Sequence, residues 1–210
     1  EVDWLNTLKA HLEDGNNART FAYDADNEMM ALAMKELGLL SAKPIIYACN
    51  MDDDGVADPE AVEYFKIVQK KAASEDALVL PICAKTEEEL CELDKEEREM
   101  FMADLGISES GLDRLIKASY KLLGLISFLT DGKKECRAWT IKAGTKAPQA
   151  AGKIHSDFER GFIRAQVIAY SDLDNAGFDY LAVRSKGLQR TEGKEYVVND
   201  GDIIEFLFNV

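Results

Sequence analysis

An asparagine and an aspartate that follow an apolar run are the first residues in this sequence with the spacing of a binding site. Residues 44–49 read Pro-Ile-Ile-Tyr-Ala-Cys, which is typical of a buried strand in a parallel sheet, and Asn50-Met51-Asp52-Asp53 comes directly after it. Ligands bind to α/β proteins where parallel strands end. There an asparagine amide can hydrogen-bond a purine, and a carboxylate three residues later can accept hydrogen bonds from base amines.

A second apolar run, residues 77–83, leads into Cys83-Ala84-Lys85, which could offer backbone N–H groups to the same base. The candidate set for recognition of a nucleotide base is therefore Asn50, Met51, Asp53, Cys83, Ala84 and Lys85. The alternative interpretation is that Asn50 and Asp53 form an ordinary turn, as these residue types often do.

The sequence lacks a phosphate-binding loop. Such a loop reads G-x-x-x-x-G-K-[ST], because backbone amides cradle the phosphates while the lysine and the hydroxyl complete the site. Gly152-Lys153 is followed by Ile154, and no stretch of the sequence fits the pattern. We therefore predict no catalytic residues and no metal ligands, and we expect this chain alone to be inactive in phosphoryl transfer and to bind no nucleotide tightly.

Basic residues are concentrated between positions 133 and 164, where eight lysines and arginines outnumber three acidic residues. Trp139, Phe158 and Phe162 are interleaved with them, and basic groups next to aromatic rings can bind RNA phosphates and stack bases. The candidate contacts to RNA or the ribosome are Lys133, Lys134, Arg137, Lys153, Arg160 and Arg164. The alternative is that the aromatic rings belong to a core and the charges are simply solvated.

Net charge distinguishes two parts of the chain. The total is −14, from 25 basic and 39 acidic residues, but residues 124–210 hold 12 of each and are neutral. The acidic excess in residues 1–123 would repel phosphate. The acidic helices in 86–123 also allow a third function, a regulatory contact with another protein.

The hydrophobic pattern predicts an α/β region first. Helices are expected on either side of a strand–helix–strand unit at 44–83, over residues 1–13, 26–37 and 111–123. Asp58 and Pro59 are expected to start the helix of that unit as N-cap and first residue. In the last helix we expect an inward-facing apolar side made of Leu112, Leu115, Ile116, Tyr120 and Leu123.

Residues 124–210 predict a separate α+β module. Strands are expected at 125–129, 135–141, 162–170, 194–198 and 203–208, with helical stretches at 147–159 and 176–185. A small mixed sheet crossed by helices suggests a β-grasp fold, with a domain boundary near residue 124. No cysteine pair has C-x-x-C spacing, and we find no signal peptide or membrane-spanning run, so we expect a cytoplasmic protein with reduced thiols.

Several stretches in collinear order resemble one family. They are residues 43–50 (KPIIYACN), 137–141 (RAWTI), 147–155 (APQAAGKIH), 157–165 (DFERGFIRA), 192–198, 200–202 and 208–210. With them the sequence resembles the C-terminal part of a YchF-type (Obg-like) P-loop ATPase over nearly all of its length.

This resemblance implies a domain order and a function. Residues 1–40 resemble the returning end of a helical, coiled-coil arm. Residues 41–123 resemble the last third of a Ras-like nucleotide-binding domain, and residues 124–210 resemble a TGS domain of β-grasp, ubiquitin-like fold. The family hydrolyses ATP in preference to GTP and associates with ribosomes. The resemblance thus implies ATP with magnesium as cofactor of the complete protein and the ribosome or RNA as partner of its TGS domain. From the lack of a membrane-spanning run we expect no membrane partner.

The base-recognition motif departs from the family at one residue. The family motif is N-x-x-E, whereas ordinary GTPases have N-K-x-D; this sequence lacks the lysine at Met51 but has an aspartate at Asp53. An aspartate can pair with the N1–H and N2–H₂ groups of guanine, whereas adenine offers one donor and an acceptor. Asp53 therefore leaves GTP open. The alternative function is a free-standing, non-enzymatic β-grasp module that binds RNA or protein.

Overall fold

A computed structural model describes residues 2–132 and 135–209 of the chain. Their contacts divide the chain into two units, Glu1–Leu122 and Leu123–Val210, called the first and second units below. No helix among the described residues is long and apolar enough to cross a bilayer.

The first unit begins with α1 (Val2–Glu13) and α2 (Glu28–Leu37), which confirms the helices expected at 1–13 and 26–37. The side chain of Asn27 caps α2 by accepting hydrogen bonds from two backbone N–H groups of its first turn. Gly38 then ends α2 in the left-handed conformation (φ 57°) that glycine adopts without strain. A small core joins the two helices; its buried residues are Leu8, Ala18 and Met34.

The α/β part of the first unit contains β1 (Ile46–Asn50), α3 (Asp53–Ala57), α4 (Glu63–Ala73) and β2 (Leu78–Ile82). The two strands pair in parallel with Asn50 opposite Ile82, so the predicted strand–helix–strand unit is confirmed. The predicted helix start was wrong. Pro59–Ala61 is a 3₁₀ turn, Asp58 makes no side-chain cap bond, and α4 begins four residues later than Pro59.

Three more helices complete the first unit: α5 (Ala84–Glu92), α6 (Lys95–Asp104) and α7 (Gly111–Leu122). The expectation that the apolar side of α7 faces inward was wrong. Leu112, Leu115, Ile116, Tyr120 and Leu123 are between 37% and 56% exposed. The helix instead meets β2 through a stripe of other residues: Gly111 is buried, and Arg114 donates a hydrogen bond to the carbonyl of Pro81 at 2.9 Å.

A buried carboxylate links three parts of the first unit. Glu75, which follows α4, is 6% exposed and accepts hydrogen bonds from Tyr47 on β1 (3.0 Å) and Asn17 (3.2 Å). It also forms ion pairs with Arg19 (3.1 Å) and Lys71 (2.7 Å). The hydrogen bond from Lys71 is the main cause that lowers the pKa of Glu75. This one side chain therefore ties the segment after α1 to the α/β part.

The second unit contains β3 (Leu125–Asp131), β4 (Cys136–Lys142), α8 (Ala147–Ile154), α9 (Ser156–Arg160), β5 (Phe162–Ala169), α10 (Tyr170–Asn175), α11 (Tyr180–Ser185), β6 (Arg190–Glu192) and β7 (Asp202–Phe208). The strands form one mixed sheet in the order β4-β3-β7-β5-β6, in which β3 and β7 are parallel and the other neighbours are antiparallel. The strand expected at 194–198 was wrong, because β6 lies at 190–192 and Val197 makes only an isolated bridge with Lys146.

The core of the second unit lies between this sheet and α8. Phe128 is fully buried and meets Phe206 edge to face at 5.8 Å. Ala147, Ala150 and Ala151 on α8 are also fully buried, and their small side chains let the helix come close to the sheet. Val198 is 2% exposed in the same core, so its apolar character reflects burial without a strand.

Candidate functional site

The ends of the two parallel strands are tied together by the side chain of Asn50. Its Oδ1 atom accepts a hydrogen bond of 2.9 Å from the backbone N–H of Ala84, the first residue of α5. Because α5 starts directly after β2, this bond joins the loops that follow β1 and β2. The asparagine is exposed, so its side-chain amide NH₂ is open to a ligand at the carboxyl edge of the sheet.

Asp53 starts α3 on the other side of this edge and is held by α5. The hydroxyl of Thr86 donates a hydrogen bond to its Oδ1 atom. This bond is the main cause that lowers the pKa of Asp53, and a hydrogen bond from Cys83 adds to it. The carboxyl group is therefore ionised at neutral pH, with one oxygen occupied by the protein.

The side chains of Met51 and Lys85 take no part in the links between the two strand ends. The Met51 N–H donates to the carbonyl of Ile82 at 2.9 Å, and its side chain packs over Gly55. A Cβ atom on Gly55 would lie 2.9 Å from Asp52 Oδ1 and 3.1 Å from Met51 Sδ, so the turn leaves no room for a larger residue. The side chain of Lys85 is 79% exposed and lies 3.7 Å from the carboxylate of Glu89.

The structure thus brings Asn50, Asp53, Cys83 and Ala84 together, with Met51 packed against Gly55 and Lys85 paired with Glu89. Sequence reasoning missed Thr86, which is 3% exposed and holds Asp53. The only signal for it was a hydroxyl-bearing residue in the first turn of the helix after the second strand.

A cavity of about 470 Å³ adjoins Asp53 in the first unit. Its charged lining residues are Asp53, Asp54, Asp104, Glu109 and Arg114. Four carboxylates against one guanidinium would repel a polyphosphate, so this cavity is unsuited to the phosphates of a nucleotide. Within residues 2–132 and 135–209, no group of three or more His, Cys, Asp or Glu side chains could hold a metal ion.

The basic residues predicted to contact RNA lie toward one end of the sheet of the second unit, as far as the structure describes them. Leu129 pairs with Ile203 in parallel and Phe162 pairs with Phe208, so the β3–β4 hairpin, the start of β5 and the end of β7 lie at the same end. Arg160 comes immediately before that start of β5, and Lys153 lies in the last turn of α8, which packs against α9.

These basic residues do not all lie on the same face of the sheet. Trp139 packs on the core beside α8, and Arg137, two residues earlier on β4, lies on the same face with its guanidinium 4.2 Å from the Trp139 ring centre. Arg164 pairs with Leu207, next to the inward-facing Phe206, and therefore lies on the opposite face. The predicted set is thus split, with Arg137, Lys153 and Arg160 on the α8 side.

The aromatic rings between the basic residues are mostly core. Phe162 is 5% exposed, and Phe158 stacks on Phe208 at 3.8 Å while it packs against the core. Of the two interpretations of these rings, burial in the core is therefore the one that holds for both phenylalanines. Trp139 is half-buried and donates its N–H to Thr130 at 2.9 Å. Lys133 and Lys134 lie outside the described residues.

The partners of these charges differ. Arg160 forms an ion pair with Asp157, which also lies 3.4 Å from His155 Nδ1. Lys153 and Arg164 are exposed and form no ion pair with the described residues. Their full charge is therefore available to an anionic partner.

Comparison with known proteins gives matches over the whole chain. Residues 125–209 match the family model YchF-GTPase_C, described as "Protein of unknown function (DUF933)". The "Ribosome-binding ATPase YchF" of Bacillus subtilis (strain 168) is 50% identical over 210 residues, which are all of this chain and 56% of that protein. The protein of the same name from Escherichia coli O157:H7 is 46% identical over the same shares. "Obg-like ATPase 1" of Rattus norvegicus is 39% identical over all of this chain and 52% of its own length.

Solved structures agree with these matches. The "Structure of the Schizosaccharomyces pombe YchF GTPase" superimposes with a TM-score of 0.82 at 32% identity, over 98% of this chain and 53% of that chain. A GTP binding protein from Pyrococcus horikoshii OT3 gives 0.55 at 20% identity and shows likeness of fold alone. The chain spans about half the length of the curated relatives it matches. By sequence over its full length and by fold, this chain belongs with the YchF-type (Obg-like) proteins and corresponds to their C-terminal part.

Proposed function

We propose that this chain supplies the base-recognition loops and a ribosome-contacting domain to a YchF-like protein that hydrolyses ATP. The observation that carries the proposal is the pair of links across the carboxyl edge of the parallel strands, Asn50 to Ala84 and Thr86 to Asp53. These links hold an amide and a carboxylate side by side at the edge where α/β proteins bind ligands. The names of the relatives, ribosome-binding ATPases, support the same function.

The residues present can bind the base of a nucleotide, whereas its phosphates would be bound by other parts of the complete protein. No phosphate-binding loop occurs in the sequence, and the cavity beside Asp53 is acidic. Hydrolysis of ATP with magnesium therefore belongs to the complete protein, in which Asn50, Asp53 and the N–H groups of residues 83–85 would orient the base. This chain alone would bind nucleotide weakly, because phosphate contacts supply much of the affinity.

The arrangement around Asp53 favours adenine over guanine. Guanine presents two donors, N1–H and N2–H₂, which pair best with both oxygens of a free carboxylate, whereas the single amine of adenine needs one. Since Thr86 already donates to Oδ1 of Asp53, the other oxygen, Oδ2, is left for the base. The shorter aspartate thus takes the role of the family glutamate without restoring guanine recognition.

Titration of the chain with adenosine and guanosine, followed by ¹⁵N NMR, tests this site. We expect adenosine to shift the amide signals of Ala84 and its neighbours at millimolar concentration, and Asn50→Ala to abolish the shifts. Thr86→Val, which frees the carboxylate of Asp53, should raise the response to guanosine relative to adenosine. Equal responses to both nucleosides in the unaltered chain would contradict the proposed selectivity, and no response to either would contradict the site.

The second unit supports the proposal of a β-grasp, TGS-like domain. Its strand order, with β3 and β7 parallel and α8 packed across the sheet, supports the proposal of a ubiquitin-like β-grasp. The first 40 residues would then be the end of a helical arm, and residues 41–123 the last third of a Ras-like domain. A cytoplasmic location belongs to the same proposal.

We assign the contact with ribosomal RNA to the α8 side of the second unit. Lys153 is exposed without an ion pair to a described residue, and Arg160 and Arg137 lie at the same end and face of the sheet. The reversals Lys153→Glu and Arg160→Glu should together lower co-sedimentation with ribosomes about tenfold at moderate salt, because each removes a phosphate contact. Arg164→Glu on the opposite face is the matched control and should have a small effect. Equal losses from both faces would contradict the assignment.

The alternative, a non-enzymatic binding module, is favoured by the complete core of the second unit. The two proposals differ in the nucleoside titration. Ribosome binding that is retained while neither nucleoside affects the spectrum would favour the module.

A further inference from the structure

Two consecutive residues bond the first turn of α5 to two neighbouring helices. Thr86 donates its hydroxyl proton to Asp53 on α3. The next residue, Glu87, accepts hydrogen bonds from the backbone N–H groups of Gly111 (2.6 Å) and Leu112 (3.2 Å), the first two residues of α7. Consecutive side chains of a helix project about 100° apart, so α5 holds α3 with one of them and α7 with the other.

The start of α7 also has a cap from its own neighbour in the sequence. Ser110 comes directly before the helix, and its hydroxyl accepts a hydrogen bond of 3.1 Å from the N–H of Asp113. Glu87 takes two of the N–H groups that Ser110 leaves open, at a helix end where negative charge is favoured. Because α7 is already capped locally, the bonds from a residue 24 positions earlier serve to fix where α7 starts relative to α5.

Gly111 makes room for this contact. The residue is buried, and a Cβ atom on it would lie 2.6 Å from Oε1 of Glu87, whereas Ile82 would be at an ordinary distance of 3.4 Å. The backbone of Gly111 is outside the left-handed region, so alanine could adopt it. Alanine at this position would therefore displace the Glu87 carboxylate without straining the chain.

The base-recognition residues depend on the same turn of α5. Its first residue, Ala84, donates its N–H to Asn50, and Thr86 holds Asp53. Arg114 on α7 anchors the helix to the end of β2 through the carbonyl of Pro81, but only Glu87 joins the start of α7 to α5 itself. A shift of this turn would therefore move the N–H that meets Asn50 and the hydroxyl that meets Asp53 together.

We propose that Glu87 is a positioning residue for base recognition, an inference that rests on the proposed function. By joining the first turn of α5 to the start of α7, Glu87 fixes the Ala84 N–H against Asn50 and the Thr86 hydroxyl against Asp53. It acts through these groups and needs no contact with the base. Gly111 belongs to the same device, because it lets the carboxylate reach the helix end.

Variants of the full chain test this role through adenosine titration and amide hydrogen exchange, both followed by ¹⁵N NMR. Glu87→Ala removes both hydrogen bonds to α7. We expect it to bind adenosine about fivefold more weakly and to exchange the amide proton of Ala84 about fivefold faster, as for the loss of one net hydrogen bond. Glu87→Gln keeps an accepting oxygen for the N–H of Gly111 and should recover part of both losses.

The matched control is Glu88→Ala. Glu88 is the next residue on α5, is exposed, and forms no ion pair with the residues that the structure describes. Its replacement should leave both the affinity for adenosine and the exchange of Ala84 unchanged.

Gly111→Ala separates positioning from stability. It displaces the Glu87 carboxylate but raises the helix propensity of the first residue of α7. The urea midpoint of the first unit, read from Trp4 fluorescence in a Trp139→Phe background, should therefore change little. The affinity for adenosine should fall as it does in Glu87→Ala, whereas a merely structural role would lower the midpoint and the affinity together.

The role of Glu87 is contradicted on its own if adenosine shifts the signals of the unaltered chain and Glu87→Ala binds it equally well. Equal exchange of the Ala84 amide in these two proteins would also overturn it, as would a fall in midpoint that matches the loss of affinity in Gly111→Ala. No response to adenosine in the unaltered chain would instead contradict the base site itself, and the role of Glu87 with it.

Discussion

The two units of this chain differ in how much of their apolar surface they bury. The second unit has a core of ten buried residues around Phe128, from strands β3, β4, β5 and β7, helix α8 and the segment before β7, and a smaller cluster of Ile168, Leu173 and Val183. The first unit buries apolar side chains in small groups and leaves several large ones in water. Seven large apolar residues of the first unit are more than half exposed: Met29, Leu32, Leu40, Tyr64, Ile67, Met100 and Leu112. In the second unit there are four: Leu123, Ile163, Phe178 and Leu181.

This difference indicates what stabilises each unit. The second unit is stabilised by its own packing, whereas the first relies on polar links such as those of Glu75 and Asn50. Apolar surface of this extent usually marks an interaction site, and a parallel sheet is normally covered on both faces. We therefore expect the exposed surfaces of the first unit to be covered in the complete YchF-like protein, which would be consistent with a chain that spans about half of its relatives.

The largest expected effect is on the core of the second unit. Phe128→Ala should destabilise that unit by about 3–5 kcal/mol, because a fully buried aromatic ring is lost and a cavity is left. Each unit holds one tryptophan, Trp4 or Trp139, so single-tryptophan variants report urea unfolding of each unit separately. The Trp4 signal should keep its midpoint. A matching shift in both signals would show that the units unfold together and are not stabilised separately.

The next effect concerns the buried carboxylate of the first unit. Glu75→Gln removes the carboxylate that forms ion pairs with both Arg19 and Lys71. It should lower the melting midpoint reported by Trp4 by about 5–10 °C. Glu88→Gln, on an exposed side of α5, is the control and should change little.

The pH dependence of the same group follows from its lowered pKa. Because the folded pKa of Glu75 lies below its usual value of about 4.3, its contribution is complete above that pH and is lost as the pH falls through the folded pKa. Melting curves of the unaltered chain and of Glu75→Gln should therefore converge in acid. Curves that stay equally separated down to pH 3 would contradict an ionised Glu75 in the fold.

A smaller effect is expected at the strand ends. Asn50→Ala removes the bond to the N–H of Ala84 and should cost the first unit about 0.5–1.5 kcal/mol, the usual net value of one hydrogen bond. The Trp4 signal in urea measures this loss. The second unit should not respond, and a destabilisation of its Trp139 signal would contradict the separate stabilities of the units.

The smallest effect is expected where a glycine meets a mobile side chain. A Cβ atom on Gly152 would meet the carboxylate of Glu159, which ends an exposed side chain that can turn away. It would also lie 3.1 Å from the Glu159 Cβ atom, so α9 must give by a few tenths of an ångström. Gly152→Ala should therefore change the stability of the second unit by less than about 1 kcal/mol. The higher helix propensity of alanine stabilises α8 by about as much as the contact with Glu159 destabilises it. A loss several times larger, rescued by Glu159→Ala, would show that the α8–α9 contact is rigid.

Much of this architecture could be predicted from the sequence, because hydrophobic periodicity and the residue preferences of turns depend on neighbouring residues only. The strands 46–50 and 78–82 and most helices follow from apolar runs and breakers such as Gly38. The errors share a cause. The stripe of α7 that meets β2 is polar and small, and Val197 and Val198 are apolar without being a strand, so hydrophobicity alone pointed to the wrong contacts.

The candidate site was predictable only as a set of residues. Asn50, Asp53 and Cys83 could be named from their place after apolar runs, but the role of Thr86 could not, because it depends on α3 and α5 lying side by side. The basic residues could likewise be named, but their division between two faces depends on the register of β4 and β5.

The sequence by itself determined the class of the protein: which segments are strands or helices, where charge accumulates, and which family the motifs resemble. Only the tertiary structure decided which carboxylates are free, which arginines share a face, and which aromatic rings are buried or exposed. The physical reason is that periodicity and residue type act over a few neighbouring residues. Hydrogen bonds such as Thr86 to Asp53 or Tyr180 to Asp131 instead join residues 33 and 49 positions apart, and they exist only when the packed elements bring those residues together.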